Sequence, residues 1–264
     1  MKLGFIGLGN LTTFITTGLR RSSTFRNAEI YGYDVSPAQS EKAKKQLGIL
    51  PCRNIAEVAK ACDLLILAVK PHIVQNVLTE LRGALNLKQI VISAAAGRDL
   101  AFLMNELGEE QPILRLMPNI NAQVGMSTNA YCCNAAVTEE QRKKAEEFLS
   151  AFGVPIAAPE SMFPLYTVIT GATPAFAFMF IDALAKAAVA CGMSRPQAIE
   201  AVATTLMGSA KTVLDSGIHP IELADRVCSP AGVTIEGVLQ LQKHGFEASL
   251  EQAVEAAYAK NKKI

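Results

Sequence analysis

The chain has 264 residues, half of them hydrophobic, and a formal net charge of +1. That length fits one or two domains with a sizeable core. Lys and Arg are spread along the chain with no basic block, which excludes nucleic acid as an expected partner. The longest apolar stretch, residues 172–185, is interrupted by Asp182 and falls short of the ~18 residues of a membrane span, so no membrane is expected. Six cysteines, at 52, 62, 132, 133, 191 and 228, form no C-x-x-C pair. Their apolar neighbours point to buried, reduced thiols and a cytoplasmic setting. His72, His219 and His244 are far apart and lack ligand spacing, so no catalytic metal is expected. Met1 leads straight into a strand, and no leader peptide is expected.

A short apolar run, residues 2–6, reads as a buried strand. It ends in a glycine turn, Gly7-Leu-Gly9, after which residues 11–19 carry helical periodicity. Strand, glycine turn and helix start are the parts of a dinucleotide site. One glycine permits the tight turn and another lets backbone approach the pyrophosphate. The helix N-terminus supplies free N–H groups and a partial positive charge. The third position of the G-x-G-x-x-G fingerprint is Thr12, whose methyl and hydroxyl are expected to crowd the helix–strand packing. Residues 29–34 read as a second strand ending in Asp34, about 25 residues past Gly9, near the spacing of an acid that accepts hydrogen bonds from the adenosine ribose. An acid there repels a 2′-phosphate and leans towards NAD. Ser36 can take that phosphate instead, so both nucleotides stay open. Asp34 also reads simply as an acid before a helix that starts at Ser36-Pro37.

Asn54-Ile-Ala-Glu57 has capping-box spacing. Residues 63–70 form an apolar strand without alternation, which predicts a parallel sheet covered on both faces. Pro71 stops it, and a helix follows from about Ile73. Residues 89–93 are another strand, followed by Ala94-Ala-Ala-Gly97. Those small residues leave room for a flat nicotinamide against the backbone, or make a tight strand-to-helix loop. Residues 112–117, 125–132 and 154–157 read as further strands. Thr138-Glu-Glu-Gln141 caps a helix to about Phe152. The alternation predicts a doubly wound α/β domain over residues 1–158.

The character changes at Pro159. Residues 159–264 show no convincing strand, only helical stretches at about 174–190, 196–216, 233–243 and 246–260, with breaks at Gly192, 217–220 and 229–232. Residues 173–190 are apolar nearly all round and need covering on every side, which predicts a homodimer through this helical domain. Asp182 and Lys186, four apart, read as an ion pair rather than an acid–base couple. Ser229-Pro-Ala-Gly232-Val233-Thr234 opens a helix with successive N–H groups and flanking hydroxyls. That is a nest for a carboxylate, with Thr234 able to hydrogen-bond a substrate nitrogen. Capping by Ser229 and packing of Thr234 is the alternative.

Over essentially its full length the chain resembles the Δ1-pyrroline-5-carboxylate reductases. The matching stretches are residues 4–11, Leu67-Ala-Val-Lys-Pro71, Ile92-Ser-Ala-Ala-Ala-Gly97, Met117-Pro-Asn119, the loop at 170–176 and residues 229–234. The resemblance implies a Rossmann domain followed by an all-α dimerisation domain, often in a ring of dimers. It implies hydride transfer from NADPH or NADH to the C=N carbon of a cyclic imino acid, giving L-proline. By position, Gly7, Gly9, Asn10 and Leu11 then hold the pyrophosphate, and Ser36 and Asn54 meet the adenosine ribose or its phosphate. Ala68, Val69, Lys70 and Pro71 line the cofactor, with Ala94, Ala96 and Gly97 by the nicotinamide. Ser229, Gly232, Val233 and Thr234 bind the imino acid. The chain departs from the family pattern at Ala172, Thr173 and Phe176, at Ile120-Asn121 and at Ala231. These changes leave open a related cyclic imino acid as substrate, or a non-catalytic dinucleotide-binding paralogue. The retained Ser229 and Thr234 speak against the latter.

Overall fold

The computed structural model describes residues 1–262. The last two residues of the expected helical domain lie outside them. Two compact units part between Gly171 and Ala172.

The first unit runs β1 (Leu3–Ile6), α1 (Asn10–Arg21), β2 (Ile30–Tyr33), α2 (Pro37–Leu47), β3 (Leu50–Pro51), α3 (Ile55–Ala61), β4 (Leu64–Leu67), α4 (Val74–Leu81), β5 (Ile90–Ser93), α5 (Leu100–Leu107), β6 (Ile113–Met117), β7 (Ser127–Cys133), α6 (Glu139–Ser150), β8 (Gly153–Ala157) and α7 (Phe163–Tyr166). The strands form one sheet in the order β3-β2-β1-β4-β5-β6-β7-β8. β1, β4 and β5 are buried throughout, yet their side chains still alternate between two cores. Leu3, Phe5, Leu64, Ile66, Ile90 and Ile92 pack with α1, α2 and α6 on one face. Ile6, Leu65, Leu67 and Val91 pack with α3, α4 and α5 on the other. Helices on both faces explain the uninterrupted apolar runs.

The sheet is parallel as far as β6, and β7 then runs antiparallel to it. The connection explains this reversal: a short 3₁₀ turn, Ile120–Val124, joins the two strands. A parallel return needs a crossover of roughly a dozen residues. The predicted capping box at Thr138 and Gln141 forms in full. The one at Asn54 forms by half. Asn54 accepts the Glu57 N–H at 2.8 Å, while the Glu57 carboxylate turns to the Arg53 N–H at 2.6 Å.

The second unit is helical: α8 (Thr173–Ala190), α9 (Arg195–Ser216), α10 (Pro220–Val227), α11 (Val233–Lys243) and α12 (Phe246–Asn261). α10 falls between the breaks at 217–220 and 229–232, in residues to which the sequence assigns no element. Pro220 opens it at the first position, where a missing N–H costs nothing. The expected ion pair of Asp182 with Lys186 is present at 2.7 Å, and Arg195 joins it. Among the described residues of this unit only Pro174, Ala185 and Ala198 are buried. Met179 is 72 % exposed and Phe178 52 %. The helical run Glu160–Ala190 is continuous and, by length and composition, apolar enough to cross a membrane. This run is longer than the apolar stretch 172–185 read from the sequence, and it contains Asp182. The cysteines are all free, but only Cys62 is buried and Cys191 is exposed.

Candidate active site

Gly7 takes φ +88°, and a Cβ there would stand 2.7 Å from the Ala68 carbonyl oxygen. Only glycine suits both conditions. Gly9 caps α1 with backbone alone: no side chain bonds the first N–H groups, and the first turn holds no acid. A Cβ on Gly9 would meet nothing within 4 Å. An uncapped helix start beside open space, bearing Asn10 and Leu11, suits an anion such as a pyrophosphate. Thr12 does not crowd the turn. It is fully buried, and its hydroxyl donates to the Gly7 carbonyl at 2.6 Å. Further along α1, Gly18 lets the helix approach the 3₁₀ turn Ile120–Val124, where a Cβ would collide with the Ala122 carbonyl.

Asp34 ends β2 beside this turn. One carboxylate oxygen accepts the Leu8 N–H at 2.8 Å and the other the Ser36 N–H at 2.9 Å. The acid therefore braces the glycine turn, and each oxygen keeps a further acceptor site. Ser36 stands at the N-cap of α2 without using its side chain there. Its hydroxyl is left for another partner. Asn54 caps α3 through its oxygen, leaving its amide hydrogens free to donate.

Ala68, Val69, Lys70 and Pro71 follow β4, and Ala94, Ala96 and Gly97 follow β5. The Arg98 guanidinium joins the two loops, donating to the Pro71 carbonyl through two nitrogens at 3.3 Å each. Gly97 adopts φ +71°. Gly7, Asp34, Ala68 and Ala94 thus stand at the carboxyl ends of four neighbouring parallel strands. α1 covers one face of the sheet beside them and α4 the other. This is the switch point at which open α/β sheets hold ligands.

Two buried side chains near this edge were given no role from the sequence. Asn119 donates to the Thr170 carbonyl at 3.0 Å, within a π-helical turn, Thr167–Ala172. Arg115, 9 % exposed, pairs with Glu160 at 2.9 Å and lies 4.6 Å over the Phe163 ring. An arginine in the middle of an apolar strand was the available signal, since a buried guanidinium demands a carboxylate. Burial, with the Glu160 carboxylate nearby, pushes the Cys132 thiol up to about 12, so it is no nucleophile at neutral pH.

In the second unit, the turn between α10 and α11 carries Ser229, Gly232, Val233 and Thr234. Gly232, not Ser229, is the N-cap of α11, and no side chain caps it. The capping alternative for Ser229 is thereby removed. A Cβ on Gly232 would press on the Ser229 hydroxyl oxygen and turn that side chain away. Ala231 is the one non-glycine residue among those described with positive φ, at +58°. Val233 is 91 % exposed. The turn thus offers backbone N–H groups at a helix start flanked by hydroxyls.

Comparison with known proteins agrees with both units. A family model described as pyrroline-5-carboxylate reductase dimerisation matches residues 160–264, and one described as NADP oxidoreductase, coenzyme F420-dependent, matches residues 2–97. Pyrroline-5-carboxylate reductase of Escherichia coli K12 is 39 % identical over 100 % of this chain and 98 % of its own. The crystal structure of 1-pyrroline-5-carboxylate reductase from Streptococcus pyogenes superposes with a TM-score of 0.87 at 33 % identity, over 100 % of this chain and 99 % of that one. The Plasmodium falciparum pyrroline carboxylate reductase, solved with NADP bound, gives a TM-score of 0.88 at 30 % identity over 100 % and 97 %. A Rossmann-type sheet with a cradle for a dinucleotide, a helical dimerisation unit and full-length likeness place this chain in the pyrroline-5-carboxylate reductase family of NAD(P)-dependent oxidoreductases.

Proposed function

We propose that this protein reduces Δ1-pyrroline-5-carboxylate to L-proline with NADPH or NADH, as the last step of proline synthesis in the cytoplasm. The observation that carries this is the coexistence of a glycine cradle at Gly7 and Gly9 with the Ser229–Thr234 turn, on a chain alike to these reductases from end to end. The dinucleotide domain takes residues 1–158 and the helical dimerisation and substrate domain 159–264, although residues 159–171 pack within the first compact unit.

The glycine turn and the first N–H groups of α1, at Asn10 and Leu11, hold the pyrophosphate. Asp34 shapes that turn, and Ser36 and Asn54 meet the adenosine ribose or its 2′-phosphate. Residues 68–71, with Ala94, Ala96 and Gly97, give the nicotinamide a flat wall. The reduced nicotinamide supplies a hydride to the C=N carbon. The turn at Ser229, Gly232 and Val233 takes the substrate carboxylate on backbone N–H groups. The Thr234 hydroxyl hydrogen-bonds the ring nitrogen. A protonated imine is already electrophilic, so the protein needs alignment and charge stabilisation more than an acid–base relay.

Two copies associate through the apolar helical domain, and such dimers close into a ring. The run Glu160–Ala190 faces protein rather than lipid, consistent with the ion pair of Asp182 and Lys186 on it, which Arg195 of α9 joins. The altered residues Ala172, Thr173 and Ala231 support a second reading, in which a related cyclic imino acid is the better substrate. NAD(P)H oxidation across a panel of cyclic imino acids decides between them. Highest kcat/KM with Δ1-pyrroline-5-carboxylate supports the first reading, and highest kcat/KM with a larger ring supports the second. Tight nucleotide binding without turnover of any imine contradicts both.

A further inference from the structure

We infer that Glu160 is a positioning residue: through a charge pair with Arg115 it fixes the loop after β5, whose Ala94, Ala96 and Gly97 flank the nicotinamide. This rests on the proposed function, which makes those residues the nicotinamide wall.

A loop of small residues has little to anchor it. Between Ser93 and Leu100 only Ala95 is buried, and Gly97 sits in the left-handed region. The loop is instead tied at three backbone or side-chain points. The Ala94 N–H donates to the Leu67 carbonyl at 3.0 Å. Arg98 reaches the Pro71 carbonyl. At the far end the Leu100 N–H donates to Glu160 Oε1 at 2.7 Å, across 60 residues of sequence. The same oxygen accepts Arg115 Nη1 at 2.9 Å. The Arg115 guanidinium lies over Phe163, itself fully buried, so Glu160 and Phe163 clasp it from two sides.

The helix start at Leu100 does not need this carboxylate as a cap, because Asp99 already accepts the Phe102 N–H at 2.8 Å. Nor is the pair an economical source of stability. Arg115 is 11 % exposed at its side chain, and desolvating such a pair offsets much of its attraction. What a charge-assisted contact gives here is a defined position for Leu100, and through it for the loop. The pyrophosphate turn at Gly7 and Gly9 makes no contact with Glu160 among the described hydrogen bonds. Loosening the Glu160 tie should therefore disturb the nicotinamide end and spare the anchoring end.

The test uses the full-length protein with Glu160→Ala, Glu160→Gln and Arg115→Lys. NADPH is titrated without imine while both affinity and the fluorescence lifetime of the bound reduced nicotinamide are recorded. Melting temperature, kcat and KM follow. The expected result for Glu160→Ala is a nucleotide Kd near the parent's and a lifetime shortened towards that of free NADPH. The expected kcat is about 10- to 100-fold lower, the scale of a small misplacement of reacting groups. Glu160→Gln keeps an oxygen for Leu100 and falls between. If Glu160→Ala does not fold, Glu160→Gln and Arg115→Lys make the same comparison. An unchanged lifetime overturns the inference. So does a fall in kcat that tracks equal losses of nucleotide affinity and melting temperature, since that is general damage. Should the parent turn over no imine, the proposed function fails, and the lifetime still decides the role of Glu160.

Discussion

At the residue scale, two side chains work differently from what their positions in a fingerprint imply. Thr12 occupies a place where the motif expects glycine or alanine, and its hydroxyl closes a buried hydrogen bond to the Gly7 carbonyl. Thr12→Val keeps the volume and removes the donor, leaving that carbonyl unpaired. The expected cost is about 1–2 kcal/mol of stability, with weaker nucleotide binding, checked by denaturant unfolding and titration. Asp34 gives both carboxylate oxygens to backbone N–H groups, an arrangement that no spacing rule contains. In the proposed mechanism the substrate nitrogen is held by Thr234. Thr234→Ala should fold and bind nucleotide as before and lose roughly fivefold to tenfold in kcat/KM, the worth of about one neutral hydrogen bond. An unchanged kcat/KM removes it from that role.

Elements show where packing overrides or completes local signals. α1 approaches the 3₁₀ turn Ile120–Val124 so closely that Gly18 admits no Cβ. Gly18→Ala gains helix propensity but overpacks backbone against backbone, and the second effect wins. Stability should fall by about 2 kcal/mol and the melting temperature by roughly 4–8 °C, measured by calorimetry. In the α10–α11 turn the opposite change helps. Ala231 holds a left-handed conformation at φ +58°. Ala231→Gly should stabilise by about 0.5 kcal/mol, since relief of about 1–2 kcal/mol of strain exceeds the extra entropy of glycine. Most strands and helices were legible because apolar runs, caps and prolines mark their ends. β7 was legible as a strand, but its direction depends on the length of its connection to β6. α10 was hidden because Pro220 reads equally as a stop and as a first residue. The Arg115–Glu160 tie was hidden because its partners are far apart in sequence.

On the scale of the whole molecule, a helical unit with three buried residues among those described cannot be stable alone on its own core, and the match to a dimerisation family explains what covers it. Sedimentation at micromolar concentration should show a dimer. Met179→Glu places a charge twice in a two-fold interface and should weaken association at least about tenfold; a dimer of unchanged affinity would move the interface elsewhere. The reaction to be tested is hydride delivery to a cyclic imine. Its most direct test is a single-turnover reaction of the protein with Δ1-pyrroline-5-carboxylate and NADPH or NADH carrying deuterium at the transferable position of nicotinamide C4, the product read by mass spectrometry. One deuterium on the ring carbon of the former C=N bond of L-proline is the predicted result. Unlabelled proline, or no proline with either nucleotide, would contradict it.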